Sequence, residues 1–196
     1  MLDVLVPIWI VWGVMPAVSR RSSNLLDYNP EYITYPVNLL SDTFDKILRL
    51  KKEYNVKTVF FFLIGDYSTF DTNVSASKTK YKLLIKEMVD YARVGLHPSY
   101  FTMKNVALLK KEKERLENIT NMPVTSSRQH YLRFSLPETY QHLIDLEVEE
   151  DYSMGYASNV GFRASTCTPF YFYDLYNEKA TDLKIYPFYV MDATLN

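Results

Sequence analysis

The sequence predicts an α/β fold of parallel strands with helices between them, as an open sheet or one closed into a barrel. Three observations carry this. Strand-like and helical stretches alternate with short connections from Asp42 onward, the pattern of repeated right-handed β-α-β units. The run Val56 to Ile64 is β-branched and aromatic without alternation, as in strands covered on both faces. The chain has 196 residues, 47% apolar and 23% charged, enough for one sizeable core and little support for two domains.

Val4 to Val18 is almost wholly apolar, but Pro7 and Pro16 interrupt it and it falls short of the ~20 apolar residues that cross a bilayer. A secretory signal carries positive charge before its apolar run, whereas Asp3 precedes this one and Arg20 and Arg21 follow. The expected role is a core segment or an out-of-place start of a longer chain, and the expected compartment the cytoplasm, with no transmembrane segment. Arg20 to Tyr35, with Pro30, reads as irregular, so residues 1–41 form an irregular N-terminal segment and 42–196 the α/β domain. Asp42 is the expected N-cap of a helix with an apolar face of Phe44, Ile47, Leu48, Leu50 and Tyr54. Gly65 stops the strand that follows, and Asp66 to Ser77 is a polar loop.

Lys80 to Arg93 repeats the helical period through Leu83, Leu84, Met88 and Tyr91, and Val94-Gly95-Leu96 is a short strand. Asn105 caps a helix over Val106 to Ile119, whose Lys-Lys-Glu-Lys-Glu-Arg run is its solvated face. Val124 to Ser127 begins a strand, Pro137 a helix to about Leu146, and Glu149 to Tyr152 and Ile185 to Met191 supply two more strands.

Composition excludes several functions. The net charge is −1 with the signs interspersed, which gives no nucleic-acid surface. The single cysteine, Cys167, excludes an internal disulfide and is expected as a small buried hydrophobe. Gly155 and Gly161 lack the spacing of a phosphate loop, and no serine elbow is present. Seventeen Tyr and eleven Phe suit ring-stacking clefts, and equally a Tyr-rich core.

In parallel α/β folds function collects at the carboxyl ends of strands. Those ends carry Asp66, His97, Arg128 with His130, Asp151 and Asp192. Two imidazoles with a carboxylate and an open position suit a divalent metal. Either histidine alone is as readily structural, and His142, inside a helix, is read that way. Arg128 is an oxyanion or carboxylate clamp, or a buried ion-pair partner. Asp151 is a catalytic carboxylate or the end of its strand.

At these residues the sequence resembles the polysaccharide deacetylases, the NodB-type, carbohydrate esterase 4-like superfamily, in the form met among Bacteroidetes proteins. The resembling stretches are 58–67, 94–100 (Val-Gly-Leu-His-Pro-Ser-Tyr), 127–134 (Ser-Arg-Gln-His-Tyr-Leu-Arg-Phe), 150–156 with 161–170, and 186–195. The resemblance implies a partial, distorted (β/α) barrel and a metal-dependent hydrolase that removes acetyl from N-acetylated sugars. His97 stands at the first histidine of the family's His-x-x-x-His motif, with Phe101 at the second, and His130 is the expected replacement. Zinc is the implied metal, nickel or cobalt the alternatives. Arg128 matches the third-motif arginine and, with Asp151, is the expected catalytic pair. Tyr100, Tyr131, Tyr156 and Arg163 are the expected substrate contacts, with Tyr152, Phe162 and Phe170 as further stacking rings. The family's Asp-Asp motif has no counterpart between Met1 and Ser41, and its late histidine motif none before Asn196, so the resemblance covers a middle portion of the barrel. The alternative is a carbohydrate-binding relative without catalysis, or an inactive fragment. The glycan and the oligomeric state stay open.

Overall fold

The structure, a computed structural model, describes residues 10–12, 37–191 and 194, with side chains for 45, 47–191 and 194. Among the described residues the strands and α-helices follow in order: β1 (Ile10–Trp12), α1 (Val37–Tyr54), β2 (Val59–Phe62), α2 (Thr79–Tyr91), β3 (Arg93–Leu96), α3 (Val106–Thr120), β4 (Ser126–Ser127), α4 (Glu138–Asp145), β5 (Glu150–Asp151), β6 (Phe170–Asp174) and β7 (Lys179–Ile185). The strands form one sheet in the order β1-β2-β3-β4-β5-β7-β6, parallel except for the β6–β7 pair. Helices flank this mostly parallel sheet, as the alternation predicts, and no described helix is long and apolar enough to cross a membrane.

Local chemistry sets the boundaries. Asn105 accepts the Leu108 N–H at 3.0 Å and starts α3, and Asn121, left-handed at φ 56°, ends it. The first helix begins at Val37 rather than at Asp42, directly after Pro36, a residue suited to a helix start. Between them the helices bury Tyr81, Ile85, Met88, Leu109, Leu116 and Leu143 against Phe60, Phe62, Ile64, Leu96 and Ile185 of the sheet. The side-chain period of two turns Val59 and Phe61 to the opposite face, where they pack with Tyr152 and Tyr186. Phe60, Phe61 and Phe62 are each at most 1% exposed, and such rings stabilise by about 1.5–3 kcal/mol apiece.

The C-terminal part departs from the predicted repetition. Phe170–Asp174 and Lys179–Ile185 pair antiparallel as a hairpin. Its turn is held by Asp174, which accepts the N–H groups of Tyr176 and Asn177. The strand expected over Ile185 to Met191 is displaced: β7 ends at Ile185, since Pro187 has no N–H to give the ladder. Cys167 is exposed rather than buried.

One row of the register decides where side chains at the strand ends point. Phe62 pairs with Leu96, Leu96 with Ser127, Ser127 with Asp151, and Asp151 with Ile185. Phe62, Leu96 and Ile185 belong to the helix-side core, so Ser127 and Asp151 face the helices too. Ladder bonds run one residue further, from the N–H of His97 to Phe62, of Arg128 to Leu96 and of Tyr152 to Ser127. His97, Arg128 and Tyr152 therefore project from the opposite face.

Candidate active site

His97 and His130 come together, ring centroids 4.9 Å apart and both buried. His97 Nδ1 lies 2.5 Å from the Arg128 carbonyl, which can only accept, so Nδ1 carries the proton and Nε2 keeps its lone pair. Burial, with the nearby His130, pushes the His97 imidazole down to about 3 and leaves it neutral at ordinary pH. His130 Nδ1 lies 2.8 Å from Asp71 Oδ1 and donates to that carboxylate, so Nε2 is the ring nitrogen left outside the bond.

Asp71 is the group the sequence reading missed. It sits in the polar loop after β2 and is 1% exposed. Burial by itself raises its carboxyl, but hydrogen bonds from His130, the Ser68 hydroxyl (2.7 Å) and the Tyr100 N–H (2.9 Å) outweigh that and hold it below the usual carboxylate range. The available signal was local: Ser68 and Asp71 close a turn through the Ser68 N–H to Asp71 carbonyl bond and the Asp71 N–H to Ser68 hydroxyl bond. A second buried carboxylate, Glu112 of α3, accepts the Ser99 N–H at 2.9 Å and the Ser99 hydroxyl at 2.5 Å, pinning the chain two residues past His97. Burial raises the Glu112 carboxyl. Gly65 leaves room for this contact, because a Cβ there would meet Ser99 at 2.7 Å and Glu112 at 2.8 Å.

The other expected residues are dispersed. Arg128 is buried; its guanidinium donates to the Tyr152 carbonyl at 2.7 Å and lies 4.1 Å over the Phe188 ring. Asp151 faces the helix layer, where it accepts from Ser127 (2.7 Å), Ser153 (2.9 Å from both N–H and hydroxyl) and Tyr140 (3.3 Å). Burial raises its carboxyl in spite of those bonds. The pleat, not distance along the chain, separates Asp151 from the imidazoles. Asp66 turns away and pairs with Arg115 at 2.9 Å and Lys111 at 3.5 Å, and Asp192 lies outside the described residues. Arg163 is exposed with its guanidinium 4.5 Å over Phe134, and Tyr156 is exposed. Tyr152 is buried and stacked on Tyr186, so it offers no platform, while Phe162 and Phe170 are half-buried. Tyr131 borders the imidazoles, its ring 4.4 Å from His130, and Tyr100 stands behind it, 5.7 Å from the Tyr131 ring.

This donor set fits a divalent metal in chemistry and falls short in number. Two imidazoles, each with its Nδ1 anchored to a carbonyl or a carboxylate, are oriented as ligands are. A catalytic zinc site commonly takes three protein ligands, and no group of three His, Cys, Asp or Glu able to hold a metal occurs among the described residues.

No protein-family model and no curated protein matches the chain. Among solved structures it is similar to one designated a polysaccharide deacetylase from Mycobacterium smegmatis, at 13% identity over 72% of this chain and 43% of that one (TM-score 0.49). It is also similar to IcaB from Ammonifex degensii, at 16% identity over 54% of this chain and 52% of that one (TM-score 0.40). A third is a CE4 family pseudoenzyme from Bacillus anthracis, at 19% identity over 59% of this chain and 38% of that one (TM-score 0.42). The chain spans about half the length of these proteins or less.

Proposed function

We propose that the chain acts as a metal-dependent hydrolase of the polysaccharide deacetylase type, removing acetyl from N-acetylated sugars. The observation that carries this is the buried imidazole pair, with both Nδ1 atoms engaged and both Nε2 atoms left outside those bonds. His97 and His130 would hold a divalent cation, zinc suiting imidazole best, with nickel or cobalt as alternatives. When bound, such a cation supplies Lewis acidity and lowers the pKa of water from ~15.7 to ~7. The chain's own residues fix the geometry. Asp71 holds His130 in one tautomer, the Arg128 carbonyl does the same for His97, and Glu112 secures the segment between His97 and Tyr100. The Arg128 guanidinium, buried against Phe188, acts as a positioning residue and adds positive potential beneath the pair.

The test is zinc binding by equilibrium dialysis together with acetate release from N-acetylglucosamine oligomers. Wild-type protein is expected to bind zinc and release acetate. His97→Asn keeps a donor for the Arg128 carbonyl but removes Nε2, and is expected to lose both. Protein that binds no divalent metal, with His97→Asn indistinguishable from it, overturns the reading. The second reading, a carbohydrate-binding relative without catalysis, is favoured by Phe101 at the place of the family's second histidine and by the incomplete ligand count. Sugar binding without acetate release selects it.

A further inference from the structure

A cleft of about 750 Å³ lies between α2 and α3, and its lining includes neither histidine of the pair. That volume is within the ~300–1,000 Å³ usual for small-molecule sites. Four cations line it, Lys82 and Lys86 from α2 and Lys111 and Arg115 from α3, against two carboxylates, Asp66 and Glu114. On each helix the two cations stand four residues apart, hence on one face with about 5–6 Å between Cβ atoms, a placement in which like charges repel. The lining therefore carries two positive charges in excess, in a chain whose net charge is −1.

Internal pairing answers only the α3 half of that charge. Arg115 is anchored by the Ile64 carbonyl at 2.6 Å and by Asp66 at 2.9 Å, and Lys111 reaches the same carboxylate at 3.5 Å. Glu114 turns to Lys110, 3.9 Å away. Among the described residues, Lys82 and Lys86 have no ion pair. The cleft thus already draws in one oxyanion: the hydrogen bond from Arg115 holds the largely exposed Asp66 carboxyl below the usual carboxylate range. The Ser75 and Ser77 hydroxyls, 2.8 Å apart, share one hydrogen bond, which leaves one hydroxyl hydrogen to give to a ligand. Leu83, 59% exposed, adds an apolar wall.

We propose that the cleft between α2 and α3 binds a diphosphate, free or as an ester, with Lys82 and Lys86 as its principal contacts. Arg115, Lys111 and a serine hydroxyl are further donors. Two facing rows of cations suit a ligand whose charged oxygens sit on two adjacent centres, whereas a single carboxylate is already supplied by Asp66. The free diphosphate and its ester share this chemistry, and the organic part of an ester rests on Leu83. The site stands apart from the hydrolytic reading given above.

The experiment is calorimetric titration of chelator-treated, metal-free protein with inorganic pyrophosphate and with adenosine diphosphate. Removing metal ensures that the imidazole pair cannot recruit either anion through a cation. Wild-type protein is expected to bind pyrophosphate, more weakly as sodium chloride is raised. Lys82→Gln and Lys86→Gln, both at exposed positions, are each expected to weaken binding by about three- to tenfold, the scale of one charge-assisted contact. Lys80→Gln, at an exposed position of α2 outside the cleft, is expected to leave it unchanged. Adenosine diphosphate binding more tightly than pyrophosphate identifies an ester lying on Leu83, and equal or weaker binding identifies the free diphosphate; either upholds the site. No binding by wild-type protein, unchanged affinity in both cleft variants, or an equal loss in Lys80→Gln overturns it.

Discussion

Removing the carboxylate of Asp71 should damage stability and metal binding in different proportions, depending on the replacement. In Asp71→Ala the His130 Nδ1–H and the Tyr100 N–H lose their acceptor inside the protein, while Ser68, partly exposed, can turn to water. Each orphan costs about 1–3 kcal/mol, so the expected loss from the two is about 2–6 kcal/mol, a large share of the ~5–15 kcal/mol that holds a domain together. Asp71→Asn retains one carbonyl oxygen where Oδ1 stood and forfeits only the charge on those bonds, about 1 kcal/mol. It should nevertheless reduce zinc affinity by about 10- to 100-fold, since the carboxylate raises the basicity of His130 as a ligand. Urea unfolding at pH 7 and a competitive zinc titration measure the two quantities. The folded-state pKa of Asp71 is depressed, so its stabilising contribution is present above the unfolded value of ~3.9 and is lost as pH falls through the lower folded value. The wild-type advantage over Asp71→Asn should therefore shrink in acid. Zinc affinity unchanged in Asp71→Asn, with Asp71→Ala costing less than about 1 kcal/mol, would refute the reasoning.

Three further outcomes follow from named contacts. His97 titrates at about 3 in the fold against ~6.5 unfolded, so the unfolded chain binds the extra proton between those values and stability rises with pH across that window, at up to about 1.4 kcal/mol per unit; His97→Asn should flatten this slope in urea midpoints taken from pH 4 to pH 7. Gly95→Ala would set a Cβ 2.6 Å from the Phe61 ring and 2.8 Å from the Ser126 carbonyl, a cost of about 1–3 kcal/mol visible as a lowered melting temperature. Glu112→Leu keeps the volume but leaves the buried Ser99 N–H without its acceptor, and should cost about 1–3 kcal/mol while loosening the 97–100 segment in hydrogen exchange.

Much of the architecture was legible because it rests on local patterns. The β-branched and aromatic run at 56–64, apolar throughout from Val59, marked β2, the 3.6-residue stripe marked α2, and Asn105 marked the cap that starts α3. The β6–β7 hairpin lies outside the repeated β-α-β pattern, although Phe170-Tyr-Phe-Tyr-Asp174 alternates inward and outward near its end. At the candidate site, both histidines follow strands and could be placed by topology. Asp71 could not, since a loop carboxylate becomes a partner of His130 only through tertiary packing. Asp151 shows the opposite limit: the right strand end was identified, but a single residue of register decides which face a side chain takes. Asp66 was likewise at a strand end, and two cations on α3 draw it away.

The bond between His130 and Asp71 joins positions 59 apart in sequence, and that between His97 and the Arg128 carbonyl joins positions 31 apart. The second closes only once β3 and β4 lie side by side, and the first only once the loop after β2 reaches them. During synthesis the growing chain thus has no cation cradle until residue 130 has emerged and docked. On the proposed reading a cation would bind only after assembly and would not nucleate this fold in the way that it templates a zinc finger. Starving a culture of metal should then still yield folded protein.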